Sequence, residues 1–197
     1  VQGGAVHVAG ATLAGTPGVP VGHNDRVAWG VTNVMADMID LVMLERDGDG
    51  VVIGGQTRPL TARTVTVKPR KADAVTATVM WTELGPVVSE GPDGVMVMRW
   101  LALEMQDQTP DLIRAMATSQ STAMLKDAAS SLASMVPQNL AIADVDGGYG
   151  WLVAGSIPAR RGFTGRVIYP GGDPAFGWEG VIEDRPQAFQ PDQGFVV

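Results

Sequence analysis

Cysteine is absent from this 197-residue chain, which excludes disulfides, thiolate metal sites and a cysteine nucleophile while leaving the compartment open. Histidine is scarce. His7 and His23 are the whole supply, too few and too poorly matched with carboxylates to announce a zinc site. Positive charge is short as well: 14 Lys and Arg against 21 Asp and Glu leave a formal charge of −7. That balance argues against a nucleic-acid or anionic-membrane surface. The densest basic cluster, Lys68-Pro69-Arg70-Lys71, reads as a solvated loop. No apolar run reaches the length of a membrane span. The first 24 residues carry no acidic or basic charge, yet they hold six glycines and two prolines and follow no basic segment, which argues against a signal peptide. A Gly-x-Ser-x-Gly elbow is missing too, so a Ser-His-Asp triad has no strand-to-helix nucleophile turn to announce it.

What is present points to a folded domain. Apolar residues make up 45% of the chain, enough for a sizeable core, and 25 glycines with 13 prolines mark many turns. The chain opens on Val1 and closes on Phe195-Val196-Val197, a strand-like run without a polar tail, and both ends read as cut from something longer.

The expected class is α+β, dominated by antiparallel strands. Residues 5–46 read as strands and turns, with Val27–Thr32 and Leu41–Leu44 as apolar or β-branched runs. Asp47-Gly48-Asp49-Gly50 closes that region; the calcium-loop alternative fails because Val51 and Arg58 stand where an oxygen ligand and a Glu are needed. Alternating Thr64–Val67, Val75–Val79 and Val95–Met98 predict an antiparallel β section. Helix is expected only over about 110–135. Thr109-Pro110-Asp111 resembles an N-cap start, Ser119–Thr122 a break, and Pro137 a stop. Leu112, Ile113 and Met116 line one apolar face, and Met124, Leu125, Ala128, Ala129 and Leu132 a second. Strands return at Leu140–Ala143 and Gly150–Val153 around a turn at Asp144-Val145-Asp146-Gly147-Gly148, before a loop-rich tail from Ser156. The organisation expected is one structural unit in four stretches: 1–50, a β-rich insertion at 51–108, a helical segment at 109–136, and return strands and loops at 137–197.

Two groups of residues carry chemistry. Gly22-His23-Asn24 adjoins the strand Val27-Ala28-Trp29-Gly30-Val31. There His23 and Asn24 either serve a reaction or hydrogen-bond the backbone where two strands turn. Asp37 and Asp40, with the carbonyl of Ile39 between them, either point at one hard cation or form an exposed turn.

Taken in order, these segments resemble the penicillin acylase (penicillin amidase) family of N-terminal-nucleophile hydrolases. The likeness runs through Gly15-Thr16-Pro17-Gly18-Val19-Pro20, Gly22-His23-Asn24, Val27–Asn33 and Asp37–Leu41, and continues at Gly85-Pro86-Val87 and Arg99-Trp100. It is strong again at Pro137-Gln138-Asn139, Ala143–Gly147 and Gly155–Arg160, then at Trp178-Glu179-Gly180 and Pro191–Phe195. The resemblance implies part of an αββα sandwich in a periplasmic or secreted hydrolase of linear amides, on a penicillin, an acyl-homoserine lactone or a lipopeptide. It implies a nucleophilic Ser whose own α-amine is the base, an oxyanion donor at the backbone N–H of Asn33, and structural calcium on Asp37, Ile39, Asp40 and Pro158. The nucleophile and a second oxyanion donor, an Asn side chain, are expected outside this chain, in the rest of the acylase α and β chains. Alone, the chain is expected to be inactive. His23 and Asn24 then have an architectural role, and Trp29 and Met35 stand as core residues that border the pocket at most. Two alternatives remain: a non-catalytic calcium-binding module on the same scaffold, and an independent hydrolase using His23 with Asp25 or Asp37.

Overall fold

The computed structural model describes residues 2–3 and 6–196, with side chains from Val6 onward. Val1, Gly4, Ala5 and Val197, which bound the expected first and last strand runs, lie outside the described residues. The chain forms two compact units, one of residues 1–36, 105–157 and 182–197, the other of residues 37–104 and 158–181.

The first unit is a six-stranded sheet with a pair of helices on one face. In spatial order the strands are Gln187–Phe189, Tyr149–Ala154, Gln138–Asp144, Val27–Asn33, Val21–His23 and Ala9–Ala11, and every neighbour is antiparallel. Alternation decides what each face meets. Val27, Trp29, Leu140, Ile142 and Leu152 turn inward and pack with Leu112, Met116, Leu125 and Ala129 of the helices Thr109–Thr118 and Thr122–Ser131. Each such aliphatic side chain contributes roughly 1.5–3 kcal/mol by leaving water. On the opposite face Ala28, Thr32, Ala141 and Ala143 are exposed, beside the half-buried Tyr149 and Trp151.

The second unit is a longer antiparallel run, Thr61–Val67, Val75–Thr82, Gly85–Gly91, Gly94–Trp100 and Ile39–Leu44, finished by a short parallel strand, Tyr169–Pro170. Val42, Leu44, Val51, Val95 and Val97 are fully buried in it beside Tyr169. Asp47-Gly48-Asp49-Gly50 is a hairpin turn between Arg46–Asp47 and Gly50–Ile53, with Gly48 at φ 56°. Glycine enters that left-handed region without steric cost. Lys68–Lys71 lies in the exposed loop joining Thr61–Val67 to Val75–Thr82.

Several sequence expectations are corrected. A one-turn helix, Leu101–Glu104, stands outside the expected helical segment. Thr109 is the first helical residue, not the cap, because Asp107 accepts its N–H at 3.0 Å from two residues upstream. The second helix stops at Ser131, where Leu132 turns extended at φ −81°, ψ 130°, well before Pro137. Met124 is half exposed, since the inward stripe runs through Leu125 and Ala129 instead. Phe195 and Val196 belong to no strand.

Candidate active site

Asn24 is the most connected polar residue of the first unit. Its amide nitrogen faces the carbonyls of Met116, Ala117 and Ser119 at 3.4, 3.2 and 2.8 Å, at the end of the first long helix. Its carbonyl oxygen accepts from the N–H groups of Arg26 and Val27 at 2.8 and 2.7 Å. A side chain with both donors and an acceptor is needed there, and the residue is 9% exposed. One Asn thus ties the turn before the Val27–Asn33 strand to a helix C-terminus whose last carbonyls lack intrahelical partners. His23 is exposed, with Nδ1 at 3.0 Å from the Asn24 carbonyl. Asp25 pairs with His7 at 3.5 Å and Asp37 with Arg160 at 3.3 Å. Both carboxylates weighed as partners for His23 thus pair with other side chains.

Trp29 is buried and donates through Nε1 to the Val19 carbonyl at 3.0 Å. Met35, expected in the core, is 85% exposed and holds a left-handed φ of 59°. A long side chain in that region marks local backbone constraint just after the strand ends.

Asn33 is the last residue of its strand and is held from two sides. Gln138 Nε2 donates to its side-chain oxygen at 3.1 Å, and Asn139 Nδ2 donates to its carbonyl at 3.3 Å. Trp151 Nε1 in turn orients Asn139 at 3.1 Å. Sequence reading gave Gln138 and Asn139 no role, although the Pro137-Gln138-Asn139 run was their signal. Beside Asn33 opens a cavity of about 610 Å³. Its walls are mainly apolar, including Val21, Val31, Leu112, Ile113 and Leu140, with Thr109, Ser134 and Gln138 among them. Size and lining suit a small ligand with a substantial apolar part.

Asp144, read from sequence as a turn residue, also starts a helix. Its carboxylate accepts from the Thr122 N–H at 2.8 Å, from the Thr122 hydroxyl at 2.9 Å, and from the N–H groups of Gly148 and Asp146 at 2.8 and 3.1 Å. The backbone hydrogen bonds from Thr122 and Gly148 lead in holding its pKa down to about 2.

In the second unit, Asp40 is buried at 2% exposure. Its Oδ2 accepts from Arg160 Nε at 2.8 Å and from Trp178 Nε1 at 2.6 Å. Arg160 also reaches the Asp37 carbonyl at 3.0 Å. Gly165 permits this approach, because a Cβ there would lie 2.6 Å from Asp37 Oδ2. The Trp178 ring also meets Arg99, whose guanidinium stands 4.4 Å from the ring centroid and binds Glu104 twice.

The calcium implied by the resemblance can be set against this cluster. The donor type suits a hard cation: two carboxylates, with the Ile39 and fully buried Pro158 positions able to add carbonyls. Asp40 Oδ1 is buried with no hydrogen-bond partner, an orphan acceptor of the kind a cation satisfies. Yet Arg160 already brings a positive charge to both carboxylates, and no group of three His or acidic side chains gathers among the described residues. One oxygen fits; a full shell needs ligands from elsewhere.

Comparison with known proteins agrees with the fold. The sequence matches the Penicillin amidase family over residues 1–197. It is 28% identical to an acyl-homoserine lactone acylase, QuiP, of Pseudomonas fluorescens, covering 96% of this chain and 24% of that protein. It is also 28% identical to the penicillin acylase 2 proenzyme of a Pseudomonas species, covering 95% and 25%. The chain thus spans about a quarter of the length of these curated relatives. A thermostable penicillin G acylase from Alcaligenes faecalis superposes with a TM-score of 0.83 over 98% of this chain and 36% of that one, at 24% identity, a likeness of fold. With α+β architecture, Gly-His-Asn turn and Asn33 strand in place along its whole length, the chain belongs to the penicillin amidase family.

Proposed function

We propose that the chain is one part of a longer amidohydrolase that removes an apolar acyl group from an amine, and that it supplies the acyl pocket and one oxyanion donor. The observation that carries this reading is the apolar cavity of about 610 Å³ with Asn33 in its lining. In the proposed reaction, an N-terminal Ser outside this chain attacks the amide carbonyl, with its α-amine taking the proton. The Asn33 N–H and an Asn side chain from outside the chain donate to the tetrahedral oxyanion. One such donor is worth about 3 kcal/mol of barrier, because it meets charge present only in the transition state. Gln138 and Asn139 hold the Asn33 side chain and carbonyl, steadying the end of the strand that presents this N–H. The exposed small residues of the sheet's second face suit cover by the rest of the α and β chains, completing the layered sandwich. The acylase relatives, acting on penicillins and acyl-homoserine lactones by name, support the reaction class.

The same reading assigns calcium a structural role at Asp40 Oδ1, with Asp37, the carbonyls of Ile39 and Pro158, and ligands from outside the chain. The export implied by the family, to the periplasm or beyond the cell, belongs to this reading too. Chromogenic acyl amides offered to the 197-residue chain and to the full-length protein test it. Release of amine by the full-length protein alone supports the reading. Release by the short chain, with its fold verified by circular dichroism, overturns it. Silence in a full-length protein that does not cleave itself favours a non-catalytic module.

A further inference from the structure

The cavity beside Asn33 is mainly apolar, and one of its polar spots is hydrogen-bonded into a network. Thr109 and Ser134 both line it, and Ser134, at 1% exposure, is the one buried polar residue in the lining. Asp107 Oδ1 accepts from the Thr109 hydroxyl at 2.6 Å, from the Thr109 N–H at 3.0 Å and from the Met135 N–H at 3.1 Å. Thr109 Oγ1 lies 2.7 Å from Ser134 Oγ, and Ser134 Oγ accepts from the Val136 N–H at 3.2 Å.

Counting hydrogens fixes the direction of every bond. A carboxylate has none to give, so the contact between Asp107 and Thr109 uses the Thr109 hydroxyl hydrogen. The contact between Thr109 and Ser134 must then use the Ser134 hydrogen. Both hydroxyls have spent their only donor inside the wall, and each oxygen keeps a lone pair. Burial pushes the Asp107 pKa up, but the hydrogen bonds from Thr109 and Met135 outweigh it and hold the group below its ordinary value of 3.8, so the locked arrangement persists at neutral pH. Thr109 is the half-buried, reachable member of the pair. Thr12, Thr16 and Thr32, also in the lining, are exposed or half-buried and have no such lock among the described residues; a free hydroxyl rotates to donate or accept and does not discriminate.

We infer that Thr109 Oγ1 is an acceptor-only subsite, which selects acyl groups carrying a hydroxyl or N–H donor along the chain over keto-substituted or plain chains. This rests on reading the cavity as the acyl pocket. A keto oxygen placed here faces a lone pair with no hydrogen between them, and a plain chain leaves the remaining lone pair of Thr109 Oγ1 desolvated without a donor.

The test uses the full-length protein and acyl anilides of one chain length, bearing a hydroxyl, a keto group or neither at successive carbons. At one position the hydroxyl substrate should exceed both others in kcat/KM by roughly tenfold or more. Thr109→Val should collapse that ratio to near one, and Thr109→Ser should keep it. Calorimetric binding of the free hydroxy, keto and plain acids to the same three proteins reads the preference without turnover. If no anilide is cleaved but the hydroxy acid binds best and loses its advantage in Thr109→Val, the reaction class falls and the subsite stands. Equal binding of hydroxy and keto acids at every position, or a preference untouched by Thr109→Val, overturns the inference.

Discussion

At the scale of single residues, Asn24 ties together more of the candidate site's scaffold than any other side chain described there. Replacing it by Ala strands two N–H groups and the last carbonyls of a helix, so Asn24→Ala should cost about 3 kcal/mol in urea unfolding. Asn24→Asp should fare little better, because a carboxylate cannot donate to the Met116, Ala117 and Ser119 carbonyls. Equal stability of Asn24→Asp and the native protein would show that the donor half is dispensable. Asp144 sets a pH dependence. Its folded-state pKa of about 2 lies below the ordinary 3.8, so its stabilisation is complete above about pH 4 and lost as the pH falls through 2. Asp144→Asn should remove that part of the acid slope and lower stability at pH 7 by about 2 kcal/mol, as followed by unfolding at a series of pH values.

At the scale of elements, the network of Asp40, Arg160 and Trp178 joins the Ile39–Leu44 strand to the paired strands Pro158–Arg161 and Gly177–Val181. Arg160→Met leaves the Asp40 carboxylate buried with only Trp178 as donor, and should cost about 3–5 kcal/mol. Added calcium should recover part of that loss in the full-length protein if the ion binds at Asp40; a melting temperature indifferent to calcium and to chelator would remove the ion from the account. The strands of the first unit were legible because alternation is local: Val27–Asn33 and Gln138–Asp144 each announce a buried face by their own residues, whereas Thr61–Val67 is a strand exposed along its whole length. Helix ends were less so. Asp107 accepting from Thr109 two residues on is a local contact that the motif reading passed over, whereas the stop at Ser131, without Gly or Pro, lies beside Ala133 paired with Gln108 across 25 positions. The site was legible as motifs and not as contacts. Asn33 and Gln138 lie 105 positions apart, and Asp40 and Trp178 lie 138 apart, so their pairing waits on the sheet register.

At the scale of the whole molecule, the proposed function gives this chain the pocket of a longer acylase. The cavity draws walls from strands and from the first long helix together, so acyl length should be read by side chains far apart in sequence. Val21 offers the cleanest handle. It lines the cavity yet is 38% exposed, so Val21→Trp adds bulk without overpacking the core. The measurement to make first is kcat/KM of the full-length protein across a series of acyl-chain lengths, for the native protein and for Val21→Trp. The account predicts amide cleavage whose optimum moves to shorter acyl groups in the variant, with long chains losing roughly tenfold. No cleavage at any length, or the same length profile in both proteins, would contradict it.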